Sequence, residues 1–186
     1  MDRIRISARE RGIVRLGGKK VRLTGVPLQS RVNADLATAY FADAYEVMQS
    51  GSDRSALDVA LQLASTAPAW FDFLMSTRNR IVGLFGVKNL GRLSAIDRDK
   101  PHADYKVGDR VGIFSIVSLS EDEVVLGDDD KHLRAHVSVY KARGKQQNVT
   151  LSTVEHVHNF LGRAYLFFVI PAHRLIVPPL LARLAD

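Results

Sequence analysis

His173 stands inside the apolar run "LFFVIPAHRLIV", a titratable ring among residues that have nothing to offer it. An imidazole in that position titrates near neutrality and suits a polar contact in a cavity. It equally suits a core position in which a neighbour hydrogen-bonds the ring. Asp130, His132 and Arg134 share one strand parity. A carboxylate beside an imidazole is equipment for acid–base work, and the same alternation describes a solvated strand face. His156 and His158 flank Val157 and would point the same way on a strand. A metal could use that pair, but the sequence offers no third ligand nearby, so no metal is expected.

Arg78 and Asn79 fall in "LMSTRNRIVGLF". On a helix Arg78 lies on the side of Leu74, Ile81 and Phe85. A guanidinium near a buried face must either snorkel outward or be paired, with Asp43, Asp130 or a ligand carboxylate as candidate partners. Other chemistries find no support. "RLGGKK" lacks the spacing and following hydroxyl of a phosphate loop, and Asp128–Asp130 lacks the distal glutamate of a calcium loop and reads as a turn. The chain has no nucleophile-elbow serine and no cysteine. No cofactor is expected.

Those residues need elements to position them. "KKVRLTGVPLQSRVNADL" predicts an extended lead-in, since Pro27 opposes a helix. "ATAYFADAYEVMQS" alternates and predicts a strand, with Phe41, Asp43, Tyr45 and Val47 on one side. "GSDRSALDVALQLAST" predicts a first helix capped by Ser52 or Asp53. Pro68 opens a second, "PAWFDFLMSTRNRIVGLFGV". Residues 87–108 lack periodicity and read as a long loop. "DRVGIFSIVSLS", "EDEVVLGDDD", "KHLRAHVSVYKAR" and "QNVTLSTVEHVH" read as successive strands, with turns near Ser120–Asp122 and at "GKQ". Strands after a helical pair, closed by a long helix, predict an α+β fold with helices on one face of an antiparallel sheet.

The closing segment, "GRAYLFFVIPAHRLIVPPLLARLAD", decides between membrane, core and lid. A spanning helix needs about 20 mostly apolar residues. Here the uninterrupted run Ala164–Ala172 ends at His173-Arg174, so no transmembrane segment is expected. As a helix it sets Leu166, Val169, His173, Ile176 and Leu180 on one stripe, with Leu161, Tyr165, Phe168, Ala172 and Leu175 beside it. Pro171, Pro178 and Pro179 predict a kink, with a break near Val177.

Charge is lopsided. The net charge is +6, and residues 1–20 hold seven basic side chains against Asp2 and Glu10. Residues 1–30 therefore read as a basic extension and 31–186 as one domain. The arm has no aromatic residue for base stacking, which disfavours nucleic acid. Anionic lipid is the other polyanion such an arm could touch. A solvated or dimer-contacting role is the simpler reading, so a homodimer is admitted. With no apolar signal segment in "MDRIRISARERGIVRLGGKK", a cytoplasmic location is expected.

Three stretches carry a resemblance that runs from about Ala39 to the end: "YFADAYEV", "PAWFDFLMSTRNRIVGLFGVK", and "VGIFSIVSLSEDEVVLGDDDKHLRAHVSV" with "LGRAYLFFVIPAHRLIVPPLLARL". "DKHL" and "PAHRLIV" are the more distinctive pieces. The chain resembles a bacterial domain-of-unknown-function family numbered 2867, of the START and polyketide-cyclase type (the SRPBCC, helix-grip superfamily). That resemblance implies a curved sheet wrapping the C-terminal helix, with a cavity between them for a small hydrophobic or amphipathic ligand. Some members of the superfamily catalyse ring closure or hydrolysis, so a cyclase- or hydrolase-like activity is the alternative. On this reading the ligand-facing residues are His173, His132, Arg78, Asp130, Tyr165 and Val169.

Overall fold

The structure is a computed structural model, described here over residues 4–5, 12–49, 53–66, 99–142 and 148–185. Strands β1 (Ile4–Arg5), β2 (Ile13–Leu16), β3 (Lys19–Thr24), β4 (Phe41–Met48), β5 (Arg110–Val111), β6 (Phe114–Leu119), β7 (Glu123–Asp129), β8 (Leu133–Lys141) and β9 (Asn148–Val157) form one sheet. Its order is β2-β3-β4-β9-β8-β7-β6-β5, antiparallel throughout that path. β1 lies parallel to the first residues of β4, alongside Phe41 and Ala42, where β3 has already ended opposite Ala44. Two helices are described, α1 (Ala56–Ser65) and α2 (Phe160–Ala182). This is the expected α+β, helix-grip-like arrangement.

Alternation sorts the strands. Phe41, Asp43, Tyr45 and Val47 of β4 stand opposite Glu155, Thr153, Leu151 and Val149 of β9, which stand opposite Ala135, Val137, Val139 and Lys141 of β8. This face carries the helices. α1 buries Leu57, Ala60, Leu61 and Ala64 against Val124, Leu126, Val139 and Leu151, together with Val177 and Leu181 of α2. The first half of α2 packs Leu166 and Ile170 on Phe41.

The opposite face is closed by a 3-10 turn, Arg31–Ala37, where the sequence had suggested extended chain. Val32 and Ala39 pack there on Val125 and Val154. The buried Glu123 carboxylate fixes this cover, accepting hydrogen bonds from Ser30 Oγ (2.5 Å), Ser138 Oγ (2.6 Å) and the Arg31 backbone N–H (3.0 Å).

Several local expectations change. The strands β1, β2 and β3 all fall within residues 1–30 and pair into the sheet. "LGGK" makes the β2–β3 turn, and Gly17 and Gly18 take φ of 57° and 85°, the positive values a two-residue hairpin loop demands. α1 is capped by Ser55, not by Ser52 or Asp53. Its hydroxyl accepts from Asp58 N (3.1 Å), and the Asp58 carboxylate accepts from Ser55 N (2.9 Å). The predicted second helix, with Arg78 and Asn79, and the "GKQ" turn lie outside the described residues.

α2 runs unbroken through Pro171, Pro178 and Pro179, without the break expected near Val177. Each proline deprives the carbonyl four residues earlier of its donor. Those carbonyls belong to Phe167, Arg174 and Leu175, three exposed residues on the solvent side of the helix. The buried line is Gly162, Leu166, Ile170, Val177 and Leu181. Val169 and Ile176, expected on it, are half-buried at its edge.

Gly162 lies where α2 meets the β7–β8 turn. A Cβ there would sit 2.3 Å from the His132 carbonyl oxygen, which is itself held by the His158 N–H at 2.8 Å. Gly→Ala inside a helix ordinarily gains about 1 kcal/mol. Backbone overpacking costs about 1–3 kcal/mol, and at this separation it wins. Gly162→Ala should lower the thermal midpoint and destabilise the protein by about 2 kcal/mol in denaturant titration. An unchanged or raised midpoint would contradict the packing described.

Candidate functional site

The polar side chains that matter lie beneath the middle of α2. Asp43 is carried on the helix face of β4 by simple alternation with Phe41 and Tyr45, and its side chain is fully buried. His173 comes down from α2, and its Nε2 lies 3.1 Å from Asp43 Oδ1. The imidazole also meets the Phe41 ring edge-on, with centroids 5.9 Å apart. Register places Thr153 directly across from Asp43 and Glu155 directly across from Phe41. A belt of Asp43, Thr153, Glu155 and His173 thus separates the Phe41–Leu166–Ile170 cluster from the larger core around α1.

Burial sets the protonation states. Desolvation pushes the Glu155 carboxyl up to about 7; the His173 charge works against this and the Asp43 charge adds to it. For His173 burial disfavours the cation, but the hydrogen bond to Asp43, with the charges of Asp43 and Glu155, outweighs it and raises the pKa above the ordinary imidazole value. Burial, reinforced by the charge of Asp43, pushes the Tyr45 hydroxyl up to about 12. The belt thus sets the His173 ring, its pKa raised, against Asp43, beside a Glu155 poised between its two forms near neutrality.

Three oxygens of this belt are buried and have no hydrogen-bond partner: Asp43 Oδ2, Thr153 Oγ1 and Glu155 Oε2. Buried polar atoms are nearly always satisfied. These three fall on neighbouring positions of one sheet face, and Arg134 Nε, Ser152 Oγ and His156 Nδ1 are likewise unsatisfied on the other.

The other residues singled out by sequence go elsewhere. Asp130 Oδ1 accepts from the His132 and Leu133 N–H groups (2.7 and 2.9 Å), building the β7–β8 turn. His132 Nδ1 meets the Asn159 side-chain amide (3.0 Å), and Asn159 Oδ1 caps α2 by accepting from Gly162 N (3.2 Å). Asp130 and His132 therefore anchor the start of α2. That is roughly 20 Å along the helix from His173, at 1.5 Å per residue. Tyr165 and Val169 are half-buried against the Phe41 cluster.

Arg134 points to the opposite face of the sheet, with His136 and His156. There His136 Nδ1 pairs with Asp35 (3.0 Å), and His156 Nε2 meets Thr38 Oγ1 (3.1 Å). Burial, then the Arg134 charge, lowers the His156 pKa. His158 follows the end of β9 and meets Asp129 (3.3 Å). Its ring and that of His156 thus go to different partners. Glu155 was not singled out from sequence, and Asp43 entered only as a partner for Arg78. The signal was an acid within an apolar strand parity, Phe41-x-Asp43-x-Tyr45, and another within the run "TVEHV".

A family model described as a protein of unknown function (DUF2867) matches residues 36–180. The chain belongs to this family. Searches of curated proteins and of solved structures return no match. The matched span of this DUF2867 chain begins just before β4 and ends inside α2, so it contains every member of the buried belt.

Linkage gives the belt a pH signature. A carboxyl whose folded pKa lies above its unfolded value of about 4.5 stabilises the fold fully below that value, and the contribution is lost as pH rises through about 7. His173, also raised, has the same sign: its contribution is present below the ordinary imidazole value and lost as pH rises through its folded pKa. Stability should therefore fall between about pH 5 and 8. Glu155→Gln should flatten that fall and leave the variant more stable than wild type at pH 8 by about 1–3 kcal/mol. Urea titrations at several pH values measure it, and parallel wild-type and variant profiles would refute the assignment.

Proposed function

We propose that this protein binds a small amphipathic molecule between α2 and the sheet. The apolar body lies along Phe41, Tyr165, Leu166, Val169 and Ile170, and the polar head meets the Asp43–Thr153–Glu155–His173 belt. The observation that carries this reading is the trio of orphaned buried oxygens on one sheet face beside the His173 imidazole. Ligand sites are mostly apolar with a few placed polar groups, and such a belt crossing an apolar interface has that composition. Two of the orphans belong to carboxyl groups and one to a hydroxyl. The complementary head group is one that donates hydrogen bonds, a hydroxyl or an amine.

One observation supports a second reading, an enzyme on the same scaffold. A carboxyl whose pKa is pushed up to about 7, near an imidazole whose pKa is also raised, is matched to proton transfer at neutral pH. Glu155 would then act as acid–base group, with Asp43 holding the His173 ring as its positioning residue.

Native mass spectrometry of protein exposed to a cellular organic extract tests binding. Wild type should retain a small-molecule adduct that raises the thermal midpoint. Asp43→Asn and Glu155→Gln should weaken retention about 10- to 100-fold, the range for losing a hydrogen bond to a charged or buried group. Conversion of the retained molecule over time, abolished by Glu155→Gln, would select the enzyme reading. No adduct and no thermal shift across the extract fractions would defeat both.

A further inference from the structure

α2 has a second face, and it points away from the sheet. Phe160, Phe167, Phe168 and Leu175 are 81%, 73%, 73% and 75% exposed. Pro171 and Pro179 are exposed among them. At helical spacing residues 160, 164, 167, 168, 171 and 175 form one continuous stripe opposite the buried line. Three aromatic rings on one solvent-facing helix stripe far exceed the scattered apolar residues of an ordinary surface.

Charge selects the occupant. From Phe160 to Ala185 the chain carries no aspartate or glutamate, and its arginines, Arg163, Arg174 and Arg183, are all exposed. Arg163 and Arg174 fall along the same edge of the aromatic stripe, since eleven residues make almost three whole turns. A second copy of the helix would set arginine rows against each other with no acid on either side. An anionic lipid surface would accept both parts, with phenylalanines entering the acyl boundary and guanidiniums meeting phosphates. The helix is long and apolar enough to cross a bilayer by length and composition. To cross, it would have to withdraw Leu166, Ile170 and His173 from the sheet, whereas lying in the interface leaves them in place.

We propose that the outer stripe of α2, Phe160–Phe167–Phe168–Leu175 edged by Arg163 and Arg174, docks this protein on the surface of anionic membranes. This goes beyond ligand binding and does not depend on it, because the two uses engage opposite sides of one helix.

Flotation of the full chain tests it, with vesicles of phosphatidylcholine alone and of phosphatidylcholine mixed with phosphatidylglycerol, at low and high salt. The protein should float with the mixed vesicles, less so at high salt, and poorly with phosphatidylcholine alone. The double variant Phe167→Ser, Phe168→Ser should lose about tenfold or more of that binding, and Arg163→Gln with Arg174→Gln should lose the phosphatidylglycerol dependence. Both pairs are exposed, so circular dichroism should show an unaltered fold. Absence of flotation would overturn the proposal, as would serine variants that float like wild type. So would loss of binding only on neutralising Arg9 and Arg11. A wild-type dimer by light scattering that the serine variant converts to monomer would assign the stripe to a second copy instead.

Discussion

One contact spans the interface on which the architecture depends: the hydrogen-bonded pair of Asp43 and His173. Asp43 belongs to a central strand and His173 to the helix lying across it, and the Asp43 side chain is wholly removed from water. A buried carboxylate is tolerated only when paired, and removing one partner of such a pair typically costs about 3–5 kcal/mol. The pair therefore does little to favour folding in itself, yet it penalises any placement of α2 that leaves Asp43 alone. It fixes the rotation of the helix, and with it the buried line Gly162–Leu166–Ile170–Val177. The outward stripe follows from the same rotation.

Glu155 lies beside that pair. Burial makes it hold its proton toward neutrality; the His173 charge opposes this and the Asp43 charge adds to it. The belt thus joins a buried acid, an imidazole hydrogen-bonded to it, and a second acid whose pKa is pushed up to about 7. Apolar clusters lie on either side. The same composition would orient an amphipathic guest or move a proton.

Much of the fold was legible because period and punctuation carry it. Strand alternation in "YFADAYEV" and "HLRAHVSV" correctly separated the two faces. The α1 cap was misplaced because Ser52, Asp53 and Ser55 are all competent caps, and only the reciprocal bond with Asp58 selects Ser55. The N-terminal strands were missed because positive charge masks their alternation. Lys19, Lys20 and Arg22 occupy a hairpin whose apolar residues, Val21 and Leu23, are few. Of the site, His173 was visible as a polar residue in an apolar run. Its partners were not, because pairing across strands depends on register, and no local pattern states that Thr153 will face Asp43. Prolines misled for a related reason: whether a freed carbonyl breaks a helix depends on whether it faces water.

The most direct test of this account is an NMR titration of the His173 side-chain nitrogens in the full chain. The account predicts a midpoint above the ordinary imidazole value, displaced downward in Asp43→Asn. A midpoint at or below the ordinary value, or one indifferent to Asp43, would contradict it, because α2 would then not be held to the sheet by a charged pair.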